Sequence, residues 1–314
     1  MVEIDSHPSV ESEALRRETA AALRDNRLDP KSLYVTPRQT QLWREVFLRH
    51  SPIQRNPEFA RIYREAFAQT AQRIGGKEIF LVGLGCGTGL KELELHNALA
   101  AHGAKTLFAA IDASRDLVLE SAQRLVAAGA EHRRSLVCDL AQADEIGRWL
   151  DRAGDGLPRV ITFFGLFPNF APSVVTRLFR AVLRPGDLLL ASAHLAPGAE
   201  ENQDDLATAM EKVLLQYDNP ETLAWLRAAV EEAGLADRVG PPEMKIGRIE
   251  DVPAFVATAP WKSGQPAEPL RLFYSLRYTP ALFEGMLRRE GFRPERHAIT
   301  ACREEGIWVI QLSS

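Results

Sequence analysis

Four glycines fall within seven residues in Gly83-Leu-Gly85-Cys-Gly87-Thr-Gly89, between the β-rich run 78–82 and the helical pattern that opens at Leu90-Lys91. Glycine at a strand-to-helix turn lets backbone N–H groups approach a ligand that any Cβ would hold off. Such a turn needs a strand before it and a helix after it. The surrounding chain supplies more of both. β-rich runs recur at 106–111, 135–138, 159–164 and 187–192, separated by stretches such as 115–128, whose Leu117, Leu119, Leu125 and Val126 form one apolar face. Five strands in βα register describe a parallel sheet covered by helices, with Pro185-Gly186 turning into the last of them.

The spacing of the glycines excludes two common ligands. Its three frames read Gly83-x-Gly85-x-x-Thr88, Gly85-x-Gly87-x-x-Leu90 and Gly87-x-Gly89-x-x-Glu92, so none completes a dinucleotide fingerprint, and no Gly-Lys-Ser/Thr phosphate loop is present. Two acids close later strands. Asp112 ends the second, where a carboxylate can accept both hydroxyls of a ribose, and Asp139 follows the third in Val137-Cys-Asp-Leu140. Taken singly, each also suits a helix cap or a turn.

Composition narrows the partners. The 314 residues are 46% hydrophobic and carry 38 basic against 42 acidic side chains, which argues for a buried core and against binding a polyanionic backbone. Cys86, Cys138 and Cys302 have no C-x-x-C spacing, and the seven histidines have no ligand spacing, so neither a disulfide framework nor a metal site is expected. Acidic Glu3, Asp5, Glu11 and Glu13 precede any lysine or arginine, and no apolar run approaches the ~20 residues of a membrane span. A cytoplasmic protein with a small-molecule partner, and neither a nucleic acid nor a membrane, is the expectation.

Two blocks stand outside the alternation: a mostly helical N-terminal segment, and 199–276, which mixes helical stretches with the Pro- and Gly-punctuated segment 240–269. The division expected is a core of 55–198 and 277–314, interrupted by an insertion, with 1–54 and 199–276 forming a substrate-side lid over the strand ends.

Further motifs sharpen the pattern: Phe163-Phe-Gly-Leu-Phe-Pro-Asn-Phe-Ala-Pro172, Leu215-Gln-Tyr-Asp-Asn219, Lys31-Ser-Leu-Tyr34 and Ser275-Leu-Arg-Tyr278. With the glycine loop, these resemble the class I S-adenosylmethionine-dependent methyltransferases. Among those, the sequence is similar, over residues 28 to 314, to the histidine Nα-methyltransferase family of ergothioneine biosynthesis, which includes fungal indole-alkaloid N-methyltransferases. The resemblance implies an α/β, Rossmann-like doubly wound, mostly parallel sheet with an inserted substrate-binding domain, and S-adenosylmethionine as cofactor. It places Gly85 and Gly87 at the methionine end, where Lys91 pairs the carboxylate, and makes Gly83, Cys86, Leu140 and Gly165 further cofactor-binding residues. It places Asp112 on the ribose and Asp139 on the adenine. Asn169 and Tyr217 match positions that fix an amino-acid substrate, and Tyr34 matches an aromatic near the reactive amine. For both tyrosines the competing role is packing; for Asn169 it is the turn before Pro172.

The departures bear on the substrate. Gly83 stands where the family usually has an acid, the loop around Asn169 is one residue shorter, and a tyrosine pair of the N-terminal block falls at Pro52-Ile53. Phe273 stands where a Glu grips the imidazole of histidine, so an imidazole N–H would be left unpaired at a cost of ~1–3 kcal/mol. The resemblance therefore implies N-methylation of an amino acid or related small amine other than histidine. The alternatives are a catalytically silent binding or regulatory protein and a small-molecule O- or C-methyltransferase. His194, after the fifth strand, reads as a structural or rim residue. Substrate identity, the number of methyl groups transferred and oligomeric state are left open.

Overall fold

Residues 79–84 are buried without exception, a pattern that requires a strand covered on both faces. Their side chains alternate between two cores, as the two-residue period of a strand dictates: Phe80, Val82 and Leu84 enter one, Ile79 and Leu81 the other. The computed structural model describes residues 2–196, 210–250, 252–264 and 266–313. Its strands are β1 (Ile4–Ser6), β2 (Glu78–Leu84), β3 (Lys105–Asp112), β4 (Glu131–His132), β5 (Ser135–Val137), β6 (Arg159–Phe163), β7 (Leu188–His194), β8 (Glu243–Ile249), β9 (Val252–Ala259), β10 (Leu270–Leu276), β11 (Phe292–Ile299) and β12 (Glu305–Leu312).

The larger sheet runs β1-β5-β3-β2-β6-β7-β12-β11, with β4 beside β3. Its neighbours are parallel except at β12, which lies antiparallel to both β7 and β11. Helices Pro57–Ile74, Leu90–Ala101 and Arg115–Ala127 supply Phe67, Leu95 and Val118 to one core, and Ala143–Ala153, Pro172–Val182 and Pro280–Arg289 supply Ile146, Phe179 and Phe283 to the other. This is the α/β, doubly wound, mostly parallel fold expected from the sequence, with one reversed strand near the edge.

Helix starts are written locally. Thr36-Pro37, Asn56-Pro57, Asn219-Pro220 and Thr279-Pro280 each begin a helix. The cap side chain accepts the N–H of Gln39, Glu58, Thr222 and Leu282 respectively, and the proline has no N–H to leave unpaired.

Two expectations change. The first residues join the larger sheet, because β1 pairs in parallel with β5 through Ile4, Asp5 and Ser6. A three-residue edge strand is too short to show a period in sequence. The Pro- and Gly-punctuated segment 240–269, for which no strand was expected, contains β8 and β9, and β9 pairs antiparallel with both β8 and β10. Its prolines and glycines sit in or beside strands without breaking them. The first helical stretch expected in the insertion lies partly outside the described residues, and its end is helical at 210–214. A third core joins this small sheet (Phe255, Leu272) to Leu28 and Leu33 of the N-terminal block and Trp225 of helix Pro220–Glu232. Trp225 Nε1 donates to the Leu33 carbonyl at 3.0 Å.

Candidate functional site

After the edge strand β1, the chain builds the larger sheet from β2 outward through β3 to β5, then returns to β2 and adds β6 and β7 on its other side. Open α/β sheets bind ligands in the crevice beyond the carboxyl ends of the strands at such a reversal. A cavity of about 820 Å³ lies there. Gly85 and Gly87, past β2, have φ of +61° and +51°, a region that glycine enters without penalty. A Cβ on Gly85 would meet Leu166 Cδ1 at 1.7 Å, and one on Gly87 would meet the Trp43 ring at 3.1 Å. Both positions admit backbone only.

Asp112, the last residue of β3, accepts the Ser114 N–H at 2.9 Å and the Gly87 N–H at 3.3 Å. Burial pushes its carboxyl up to about 6, against the pull of those N–H groups. Asp139 accepts the Ala141 N–H at 2.9 Å and takes Lys31 Nζ at 2.8 Å; Lys31, itself buried, also pairs with Glu18. Burial works against the Lys31 charge, but the hydrogen bonds with Asp139 and Glu18 outweigh it and hold the ammonium above its ordinary value. Asp139 therefore sits at the cavity wall with one oxygen committed to the N-terminal block.

Lys91 also lines the cavity, with Nζ donating to the Tyr63 hydroxyl at 2.9 Å and 4.3 Å from that ring's centre. The Tyr63 hydroxyl donates in turn to Glu305. Burial lowers the Lys91 ammonium, and the nearby carboxylates of Glu305 and Glu92 resist that.

The facing wall is aromatic. Tyr34 packs against Trp43 and Trp225, and Phe273 lies over Tyr217 at 6.4 Å and 24°. Neither the Tyr34 hydroxyl nor the Asn169 carboxamide makes a hydrogen bond among the described residues, and both line the cavity. Burial, then Asp112, then Tyr217 raise the Tyr34 hydroxyl well above its usual range, so it remains a donor. The Tyr217 hydroxyl is engaged: it receives Arg277 at 3.0 Å and shares hydrogen bonds with Ser275 at 3.1 Å and His194 Nδ1 at 3.2 Å. Burial and the charges of Arg277 and Lys91 keep His194 neutral, well below its ordinary pKa.

Tyr34, Gly85, Cys86, Gly87, Lys91, Asp112, Asp139, Leu140, Gly165, Asn169 and Tyr217 thus all line one cavity. Gly83 is not among its lining residues. It lies inside β2, where a Cβ would crowd Cys86 Cβ at 3.0 Å and Glu92 Cγ at 3.2 Å. Sequence reasoning missed Lys31 and Glu92 as site residues; His194, read first as a structural or rim residue that could lie near the pocket, lines the cavity beside Tyr217. Lys31 stood inside the motif ending at Tyr34, and Glu92 next to Lys91, but an acid in a first helical turn signals ordinary dipole pairing.

Among the described residues no group of three or more His, Cys, Asp or Glu could hold a metal ion, and no helix is long and apolar enough to cross a membrane. No protein-family model matches the sequence, and no curated protein matches it significantly. Among solved structures it is similar to a "possible exported protein" of Bordetella parapertussis, at 14% identity over 98% of this chain and 99% of that one, with a TM-score of 0.48. It is also similar to the magnesium protoporphyrin IX methyltransferase of Synechocystis with bound S-adenosylhomocysteine, at 14% identity over 91% of this chain and 100% of that one, with a TM-score of 0.46. A third is an S-adenosylmethionine-bound amino pentose methyltransferase of Micromonospora echinaspora, at 12% identity over 80% of this chain and 92% of that one, with a TM-score of 0.38. Identities and scores this low leave the chemistry of the chain to its own site.

Proposed function

We propose that the chain is an S-adenosylmethionine-dependent methyltransferase that N-methylates an amino acid or related small amine other than histidine. One observation carries the reading: a single cavity joins a backbone-only glycine turn and two strand-end carboxylates to an aromatic wall bearing two polar groups, Tyr34 and Asn169, unengaged among the described residues. The residues fit the cofactor. The turn is open only to a ligand that approaches backbone closely, Asp112 retains acceptor capacity for ribose hydroxyls, and Asp139 stands beyond β5 toward the adenine. Lys91 supplies a cation for the methionine carboxylate.

Bound S-adenosylmethionine supplies an electrophilic methyl group, so the protein's task is positioning rather than acid or nucleophilic chemistry of its own. In this reading Asn169 and Tyr34 orient the amine, and Tyr217, fixed by Arg277, Ser275 and His194, holds the substrate's polar end. The neutral His194 adds no positive charge against an incoming amine. In this reading the described residues of 7–54 and 199–276 form the substrate side and exclude water, and 55–196 with 277–313, joined by β1, form the cofactor side. Phe273 offers no acceptor to an imidazole N–H, which favours a substrate with an apolar or aromatic side chain.

Thermal unfolding with S-adenosylmethionine or S-adenosylhomocysteine tests the cofactor, since a ligand bound to the native state raises apparent stability. Absence of stabilisation by both would refute the reading. A second reading, a pocket that binds without turnover, draws on the Tyr217 hydroxyl being already engaged. Release of S-adenosylhomocysteine across an amine library separates the two, and the atom bearing the new methyl separates N- from O- or C-transfer.

A further inference from the structure

We propose that Glu92 is the residue that holds the α-amino group of the cofactor's methionine end. The inference rests on the cofactor reading above and adds to it a recognition residue for one charged group.

Glu92 sits in the first turn of helix Leu90–Ala101, lines the cavity and is 4% exposed. Thr162 of β6 donates its hydroxyl to one carboxylate oxygen at 2.7 Å and so fixes the side chain's direction. Among the described residues no lysine, arginine or histidine nitrogen pairs with it within 4 Å. Lys91, its neighbour in sequence, turns Nζ to Tyr63 instead. A carboxylate buried without a cation is costly, and burial raises the Glu92 pKa, opposed by the Thr162 hydrogen bond. A ligand ammonium in the cavity would relieve that cost.

The neighbouring strand is shaped to leave this side chain its place. A Cβ on Gly83 would lie 3.2 Å from Glu92 Cγ and 3.6 Å from its Cδ. The missing side chain on β2 is what lets the acid from the following helix fold across the strand end. The arrangement also matches the ligand. The methionine end of S-adenosylmethionine carries an ammonium and a carboxylate on one carbon, and consecutive Glu92 and Lys91 present opposite charges to the same cavity.

The test is calorimetric binding of three probes to the wild type and to Glu92→Gln, which keeps the shape and can still accept from Thr162. S-adenosylhomocysteine carries both charged groups, its decarboxylated analogue only the ammonium, and 5′-methylthioadenosine neither. Glu92→Gln should weaken the first two by about tenfold or more, the range of a lost charged hydrogen bond, and 5′-methylthioadenosine by less than about twofold. The last probe also reports whether the variant's pocket is folded. Should the glutamine variant not fold, Glu92→Asp keeps the charge but withdraws it by one methylene, and should show the same selectivity at a smaller amplitude. Equal weakening of all three probes, or unchanged binding of the first two, would overturn the assignment of Glu92 while leaving the cofactor reading in place. A wild type that binds none of the three would overturn both.

Discussion

The two ends of the cavity are built differently. At the glycine turn the wall is backbone and strand-end carboxylate: Gly85, Gly87 and Asp112 follow directly from β2 and β3. At the opposite end it is side chain, assembled from the N-terminal block (Tyr34, Trp43), the insertion (Tyr217) and the small sheet (Phe273). A backbone wall tolerates little change because it has nothing to repack. A side-chain wall can be rebuilt by substitution, and that end decides which molecule enters.

Lys31 is where the two ends meet, and breaking that junction has the largest expected effect. Lys31→Met leaves Asp139 and Glu18 facing each other without their cation, and should lower the unfolding free energy by about 3 kcal/mol. Urea denaturation measures it. A midpoint like the wild type's would show that the ends are held together by apolar packing alone.

Gly85→Ala tests the rigidity of the backbone wall. With φ at +61° and Leu166 in the way of a Cβ, the alanine pays strain of roughly 1–2 kcal/mol, and S-adenosylhomocysteine affinity should fall by about tenfold to a hundredfold. Retained affinity would mean that the ligand does not approach this turn.

Asp112 gives a pH signature. Its folded pKa, about 6, lies above the ordinary 3.8, so the carboxyl takes up a proton as pH falls through about 6 and loses acceptor capacity for ribose hydroxyls. S-adenosylhomocysteine affinity should drop below that pH and level off above it. Asp112→Asn should be about tenfold weaker at high pH and lack the inflection. The same shift has a stability consequence. Between pH 3.8 and about 6 the native state holds a proton that the unfolded chain has released, so this group's contribution to stability falls as pH rises through that window.

The smallest effect belongs to the side-chain wall. Asn169→Ala should leave S-adenosylhomocysteine affinity unchanged and lower kcat/KM for the best amine by about fivefold, one ordinary hydrogen bond. A change in cofactor affinity instead would move Asn169 to the other end of the cavity.

Most of the backbone wall was legible in the sequence. Strand runs, glycine turn and Asp112 lie within a few residues of one another or repeat in a fixed βα register. The small sheet was not, because Pro253 and Gly247 look like breakers in a single chain, yet both sit within the paired strands β8 and β9. Nor was β1, whose three residues become a strand only beside β5.

By itself, then, the sequence determined the doubly wound core and its glycine turn, since side-chain period, capping and φ preference act over a few residues. Only the tertiary structure decided that Lys31, 108 residues away, commits one oxygen of Asp139, that Glu92 folds over Gly83, and that Tyr217 is held by His194, Ser275 and Arg277. Those contacts depend on which distant segments the cores bring within a few ångströms, and no local pattern encodes that distance.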